Sequence, residues 1–268
     1  MSDTATLPGQ AEGLPVNRQH MPFELDAGIA ERAAIGVIVL GSDQTVEHEF
    51  RRIIDLPGVA FYESRIHNAA TITPETLKAM EAGIADCTDR ILKGLPLDVV
   101  AYGCTSGAMM IGDDNVAARI HEARPGVATT TPMAAAMAAF TALGCRRIAL
   151  LTPYIDEINQ AMRAHIEKAG FTVPVMGSFN EENDNKVGRI SLESVCGAAL
   201  ELGRHEAVDA VFVSCTALRL VDGVAKLEAE LGKPVTSSNH AMAWHCLRLA
   251  GVEDSLPQFG RLFTTRLA

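Results

Sequence analysis

Two cysteines, Cys104 and Cys215, stand 111 residues apart in near-identical settings. The first lies in DVVAYGCTSGA (Asp98 to Ala108), the second in DAVFVSCTALR (Asp209 to Arg219). In each, an Asp precedes a short apolar run, one small residue and then Cys-Thr. Such a run reads as a buried strand that delivers a thiol at its C-terminal end, where open α/β sheets place their ligand chemistry. Two thiols facing one small molecule from opposite sides can remove a proton from one face of a carbon and return it on the other. That is the chemistry a racemase or isomerase needs. A helix beginning just after each thiol would aim backbone N–H groups at the sulfur and depress its pKa.

Polar residues at other strand ends are candidates for the same site. Thr105, Ser106 and Gly107 follow the first cysteine at a strand-to-helix turn, where hydroxyls and free amides can hold a carboxylate or an enediolate. The same residues serve equally as an ordinary helix N-cap. Thr216 repeats the arrangement after Cys215. Gly41-Ser42-Asp43-Gln44-Thr45 is a polar loop after the first strand. Tyr154 ends a strand in the second half, and its phenol can donate to a carboxylate. Asn183, Asp184 and Asn185 form a further polar loop. The remaining cysteines (Cys87, Cys145, Cys196, Cys246) fall within or at the ends of helices and read as packing. His240 and His245 do not share a helix face and lack a third ligand, so no metal is expected. No phosphate-binding glycine loop is present, and no cofactor is called for.

The elements that must position these residues alternate regularly. IGVIVLG (Ile35 to Gly41) is an apolar run of the doubly buried kind, and Gly58 to Ile66 is a second strand. A helix opens at Thr73-Pro74 and closes on Gly94; DVVAYG is a strand, followed by a helix from Asp113 to Glu122. ATTTPMAAAMAAFTALG reads as one Ala-rich helix ending at Gly144. Then come a strand (Arg146 to Tyr154), a helix (Ile155 to Gly170), the strand FTVPVMGSF, a helix (Ser191 to Leu202), the strand DAVFVS, a helix (VDGVAKLEAELG), the short strand KPVTSS and a last helix from Asn239 to Ala250. This order predicts an α/β fold of parallel sheets with helices on both faces. The repeated Asp-to-Cys-Thr unit predicts a duplication: two pseudo-symmetric three-layer αβα halves with the site in the cleft between them. Residues 1–32 read as an irregular leader, 33–130 plus 239–268 as the first half and 131–238 as the second.

Composition narrows the partners. The chain has 268 residues, 48% hydrophobic and only 5% aromatic, enough to bury a sizeable core. A net charge of −10 without a basic cluster argues against nucleic acid or an anionic membrane surface. No apolar run reaches a bilayer-spanning length of about 18 residues, and no secretory signal is visible. Six scattered cysteines with no CxxC fit free thiols in a reducing cytoplasm.

These motifs resemble the aspartate/glutamate racemase superfamily, in the branch of maleate isomerase and arylmalonate decarboxylase. The segments that carry the likeness are IGVIVLGSDQTVE, AYGCTSG, RRIALLTPYIDEIN, VFVSCTALR, KPVTSSNHAMAWHCLRLAG and FGRLF, spanning Ile35 to Phe263. GCTSG and SSNHAMAWHCLRLAG look most like members labelled ectoine-utilisation proteins. The resemblance implies a cofactor-free enzyme acting on a small carboxylate, with Cys104 and Cys215 at the positions of an acid/base or nucleophile pair. It implies a dioxyanion hole formed by Thr105, Ser106, Tyr154, Cys215 and Thr216. Where maleate isomerases carry an Asn in the first strand-end loop, Gln44 is the amide present here; Asn185 stands as the second-half amide. A homodimer is the expected assembly.

Three functions follow from this. The first is isomerisation or racemisation of a small carboxylic acid by both thiols, through proton transfer or through thiolate addition and elimination. The second is decarboxylation of a malonate-type acid by Cys215 alone, which the presence of Cys104 disfavours. The third is binding of a small carboxylate without turnover.

Overall fold

The computed structural model describes residues 19–69 and 71–268. The leader's first 18 positions lie outside the described residues, and residues 19–32 form no helix or strand. The first sheet is entered by β1 (Ala33–Leu40), whose eight residues are all buried, as an uninterrupted apolar run requires. After α1 (Val46–Ile53) come β2 (Val59–Ile66), α2 (Pro74–Ala79), α3 (Ile84–Arg90), β3 (Val99–Gly103), α4 (Thr105–Ile111), α5 (Asp113–Ala123), β4 (Ala128–Thr130) and α6 (Pro132–Ala142). The second sheet follows with β5 (Arg147–Thr152), α7 (Asp156–Lys168), β6 (Thr172–Ser178), α8 (Asp184–Val187), α9 (Leu192–Gly203), β7 (Ala210–Val213), α10 (Val224–Leu231), β8 (Val235–Ser237) and α11 (Ser238–Leu249).

The two sheets repeat one topology. Their strand orders are β2-β1-β3-β4 and β6-β5-β7-β8, and every paired strand runs parallel. The Asp that precedes each cysteine strand explains part of the repeat. Asp98 Oδ2 accepts from Ala34 N at 2.7 Å, while Asp98 N donates to Ala34 O at 2.9 Å. Asp209 Oδ1 likewise accepts from Arg147 N at 2.8 Å, and Asp209 N donates to Arg147 O at 2.8 Å. Each Asp thus registers the cysteine strand against its central neighbour.

Two helices differ in their bounds from the sequence reading. The helix expected over 73–94 is broken by a tight turn at Met80–Gly83, where Gly83 lies so close to Ile66 that a Cβ would stand 3.2 Å from its side chain. The Ala-rich helix starts at Pro132, not at Ala128. A residue before proline is driven out of the helical region, so Thr131 stays extended (φ −133°, ψ 165°) and caps α6 by accepting from Ala134 N at 3.1 Å. The residues ahead of it are then free to pair with β3 as β4.

α11 leaves β8 directly and packs on α1, α6 and β3, its Ala241, Met242, Ala243, Trp244 and Leu247 buried in the core built around β1. Among the described residues, no helix is long and apolar enough to cross a membrane.

Candidate active site

The C-terminal ends of both sheets converge on one small cavity. Leu40 comes from the end of β1, Asn68 from beyond β2, Cys104 to Ser106 from β3, Tyr154 from beyond β5, Asp184 from beyond β6, and Cys215 with Thr216 from β7. Both thiols are 4% exposed.

The two cysteines are held differently. Cys104 is extended (φ −145°, ψ 115°) and caps α4, its sulfur accepting from Gly107 N at 3.3 Å. Gly107 is required there, because a Cβ would stand 2.8 Å from the sulfur and 2.9 Å from Tyr102 Oη. No helix follows Cys215, contrary to expectation; Thr216 and Ala217 form a turn. Cys215 itself has φ 149°, a conformation seldom adopted outside glycine. Such a conformation persists only where its surroundings determine it, and they do so here. Cys215 N donates to Ser238 Oγ at 3.0 Å, and Thr105 Oγ1 donates to the same oxygen at 2.9 Å. Ser238, the first residue of α11, therefore ties the two cysteine loops together.

A second brace lies one layer out. Glu49 on α1 is 2% exposed and accepts at Oε1 from Leu220 N (2.6 Å) and Val221 N (2.8 Å). Its Oε2 accepts from Asn239 Nδ2 at 2.8 Å, and the same amide donates to Thr216 O at 2.7 Å. Asn239 Oδ1 is buried without a partner, because both neighbours that fix the amide are acceptors. Thr45 Oγ1 adds a bond to Ala217 O at 2.8 Å. The turn carrying Cys215 is thereby gripped by the first half of the molecule.

The electrostatics run against the expected activation by helix dipoles. Burial pushes the Cys104 thiol up to about 12, with the N–H of Gly107 pulling the other way and the Asp184 charge adding to the rise. Burial raises Cys215 as well, reinforced by Asp184 and opposed by the Tyr154 hydroxyl and Ala217 N–H. Taking a thiolate out of water costs more than one turn of backbone dipole returns. Burial also raises Asp43 to about 6, even though it accepts from Thr45 N at 2.7 Å and Val46 N at 2.8 Å, and raises Glu49 to about 7.

Cys104, Thr105, Ser106, Tyr154, Cys215 and Thr216 all line the cavity. Gln44 and Asn185 are not brought to it: both are exposed, and Gln44 borders a separate open hollow with His48, Gly188 and Arg189. Asp43 turns inward to cap α1, which leaves the next residue pointing away. Asp184 opens α8 facing the cavity, so Asn185, about 100° further round the helix, faces solvent. Asn68, Ser238, Asn239 and Glu49 escaped the sequence reading. Asn68 and Ser238 follow strand ends and carried that signal; Glu49 and Asn239, inside helices, carried none. His240 has both ring nitrogens engaged, by Thr236 Oγ1 at 2.9 Å and Phe259 O at 2.7 Å.

Comparison with known proteins gives a consistent result. The family model described as arylmalonate decarboxylase matches residues 43–263. Maleate isomerase of Nocardia farcinica is 30% identical over 238 residues, covering 85% of this chain and 94% of its own. Arylmalonate decarboxylase of Bordetella bronchiseptica is 31% identical over 243 residues, covering 87% and 98%. The solved Nocardia farcinica maleate cis-trans isomerase, a cysteine-to-serine mutant with a covalently bound succinylcysteine intermediate, superposes with a TM-score of 0.79 at 29% identity, covering 87% of this chain and 98% of that one. A family model matched over residues 43–263, with both cysteine strand ends inside the matched span, makes this chain a member of the arylmalonate decarboxylase family.

Proposed function

We propose that the protein is a cofactor-independent isomerase of a small carboxylic acid, in which Cys104 and Cys215 act on the substrate from two sides. The observation that carries this reading is the meeting of two thiols, from equivalent strand ends of two repeated sheets, in one cavity. One thiolate removes the proton α to the carboxylate, the electron pair moves into the carboxylate as an enediolate, and the other thiol protonates the opposite face. For an unsaturated acid, thiolate addition to the double bond, rotation and elimination accomplish the isomerisation instead. In this reading the cavity-lining hydroxyls of Ser106, Tyr154 and Thr216 stabilise the charge that develops on the carboxylate, while Thr105, whose hydroxyl donates to Ser238, holds the loop. The covalent succinylcysteine of the Nocardia relative supports cysteine chemistry in this fold.

Both thiols rest protonated, so an essential step is loss of a proton from one of them once substrate has displaced water. A homodimer and a reducing cytoplasmic setting belong to the same proposal; the six unpaired cysteines support the latter. Proton NMR in D₂O against a panel of small acids tests the function. Deuterium entering one carbon with loss of chirality, or conversion of maleate to fumarate, is expected. Release of carbon dioxide that persists in Cys104→Gly and vanishes in Cys215→Ser would establish the decarboxylase instead.

A further inference from the structure

Away from the thiols, a second concave surface lies where the two halves meet. It is an open hollow walled by Gln44, Thr45 and His48, from the loop after β1 and the first turn of α1, and by Gly188, Arg189 and Arg219 of the second half. None of the described residues lining it is an Asp or a Glu. In a chain with 33 acidic and 23 basic residues, such a patch runs against the composition. The cations beside it are paired: Arg52, one turn beyond His48, meets Asp222 at 3.0 Å, and Lys186, one turn before Arg189, meets Glu181 at 3.4 Å. Arg189 and Arg219 have no carboxylate partner among the described residues. Arg189 is exposed, whereas Arg219 is half-buried. Arg219 Nη2 donates to Ile190 O at 3.2 Å, and its Nε is closed off without an acceptor. A guanidinium drawn half out of water and oriented by one carbonyl, with no counterion, is an uncompensated charge. Across the hollow the Gln44 amide lies beside Gly188, its Nε2 3.6 Å from where a Cβ would stand.

We propose that this hollow binds a small multivalent oxyanion, a phosphate or a dicarboxylate, between Arg189 and Arg219, with Gln44 and His48 donating from the other half. Guanidinium forks match the paired oxygens of either group, and a divalent anion supplies both missing charges. A monovalent ligand leaves one arginine uncompensated. Neither thiol lines the hollow, so the site stands whether or not the isomerase reading does. The chain nevertheless joins the two places: Arg219 follows Cys215 by four residues, and Arg189 follows Asp184 by five. Thr45, in the wall of the hollow, already donates to Ala217 O across the halves at 2.8 Å. An anion gripped from both sides favours the arrangement in which the halves are together, and so adds to stability by mass action.

Calorimetric titration with inorganic phosphate and, separately, with succinate tests this, at an ionic strength held constant with sodium chloride so that general screening is matched. Saturable binding of at least one of the two is expected, with a melting temperature that rises with its concentration. Binding should be about tenfold weaker or worse in Arg219→Gln and severalfold weaker in Arg189→Gln. The anion that binds more tightly names the ligand class. Arg163→Gln removes an equal charge from α7, where Arg163 pairs with Glu167 at 2.9 Å, and should bind as wild type does. Phenylglyoxal labelling of the wild type, read by peptide mass spectrometry, locates the site without any variant. The bound anion should protect Arg189 and leave Arg163 as reactive as before. Binding unchanged in Arg219→Gln, or no protection of Arg189, puts the anion elsewhere and overturns the proposal. Absence of saturable binding by either anion overturns it too. A dimer that dissociates in Arg189→Gln, with no anion bound by the wild type, gives the hollow to a second copy instead. Deuterium exchange is read separately, so failure of the isomerase reading and failure of this site are told apart.

Discussion

At the scale of single residues, the site works by contrast between its two sulfurs and the groups around them. Replacing either cysteine by serine is expected to lower kcat by about 10²–10⁴-fold, because serine's hydroxyl is a far weaker acid and base at neutral pH. A Cys104→Ser enzyme with full activity would sink the two-thiol mechanism. The raised pKa of Cys104, about 12, makes a separate prediction for the free protein. Only the thiolate reacts with iodoacetamide, and its fraction below the pKa rises about tenfold per pH unit. Modification of Cys104, read by peptide mass spectrometry, should therefore climb without a plateau from about pH 7 to pH 9. A plateau near neutrality would show that the thiol is already ionised. These residue types were legible in the sequence because Cys-Thr recurs after two matched strands. Asp184 was not, since three consecutive polar residues in a loop read alike until the first turn of α8 selects one of them.

The elements hold the thiols through contacts made at their ends. Gly107 in the first turn of α4 packs directly under the Cys104 sulfur, so Gly107→Ala should displace that thiol. We expect a loss of about 1–3 kcal/mol in stability from overpacking and a disproportionate loss of turnover, measured by thermal melting and by the exchange assay. An alanine variant with unchanged kcat would show that the sulfur's position is not critical. Ser238 does a comparable job for the other thiol. Ser238→Ala leaves the buried Cys215 N–H without an acceptor, at a cost of about 1–3 kcal/mol, and frees Thr105. Because Cys215 stands at φ 149°, its backbone should relax, and the variant should lose activity even at temperatures where it remains folded. Elsewhere the sequence announced helices by their Pro and Gly punctuation, as at Thr73-Pro74 and Gly144. It concealed β4, because Ala-Thr-Thr ahead of Thr131-Pro132 is too short to show a period of its own.

Across the whole molecule, the two sheets are locked by a buried acid. Glu49 of α1 clasps the turn beyond Cys215 and, through Asn239, the start of α11. Burial raises its pKa from 4.5 to about 7, so the folded protein retains a proton there that the unfolded chain releases. Fully present below about pH 4.5, this contribution to stability is lost as pH rises through about 7, by on the order of 3 kcal/mol. The difference in unfolding free energy between wild type and Glu49→Gln should change across that window and be flat above it; a difference flat throughout would show that Glu49 titrates normally.

The sequence by itself determined the alternation of strands and helices, the duplication, the family likeness and the two thiols. Each of these is written locally, in apolar runs, punctuating residues and a repeated motif. The tertiary structure alone decided which neighbours of those thiols matter. Gln44 and Asn185 face outward and Asp184 faces inward because of turn geometry that no residue in those loops encodes alone. It likewise decided that both thiols rest protonated. A pKa reflects the whole dielectric and charge environment, and here burial between two halves outweighs the single helix start that the motif foretold.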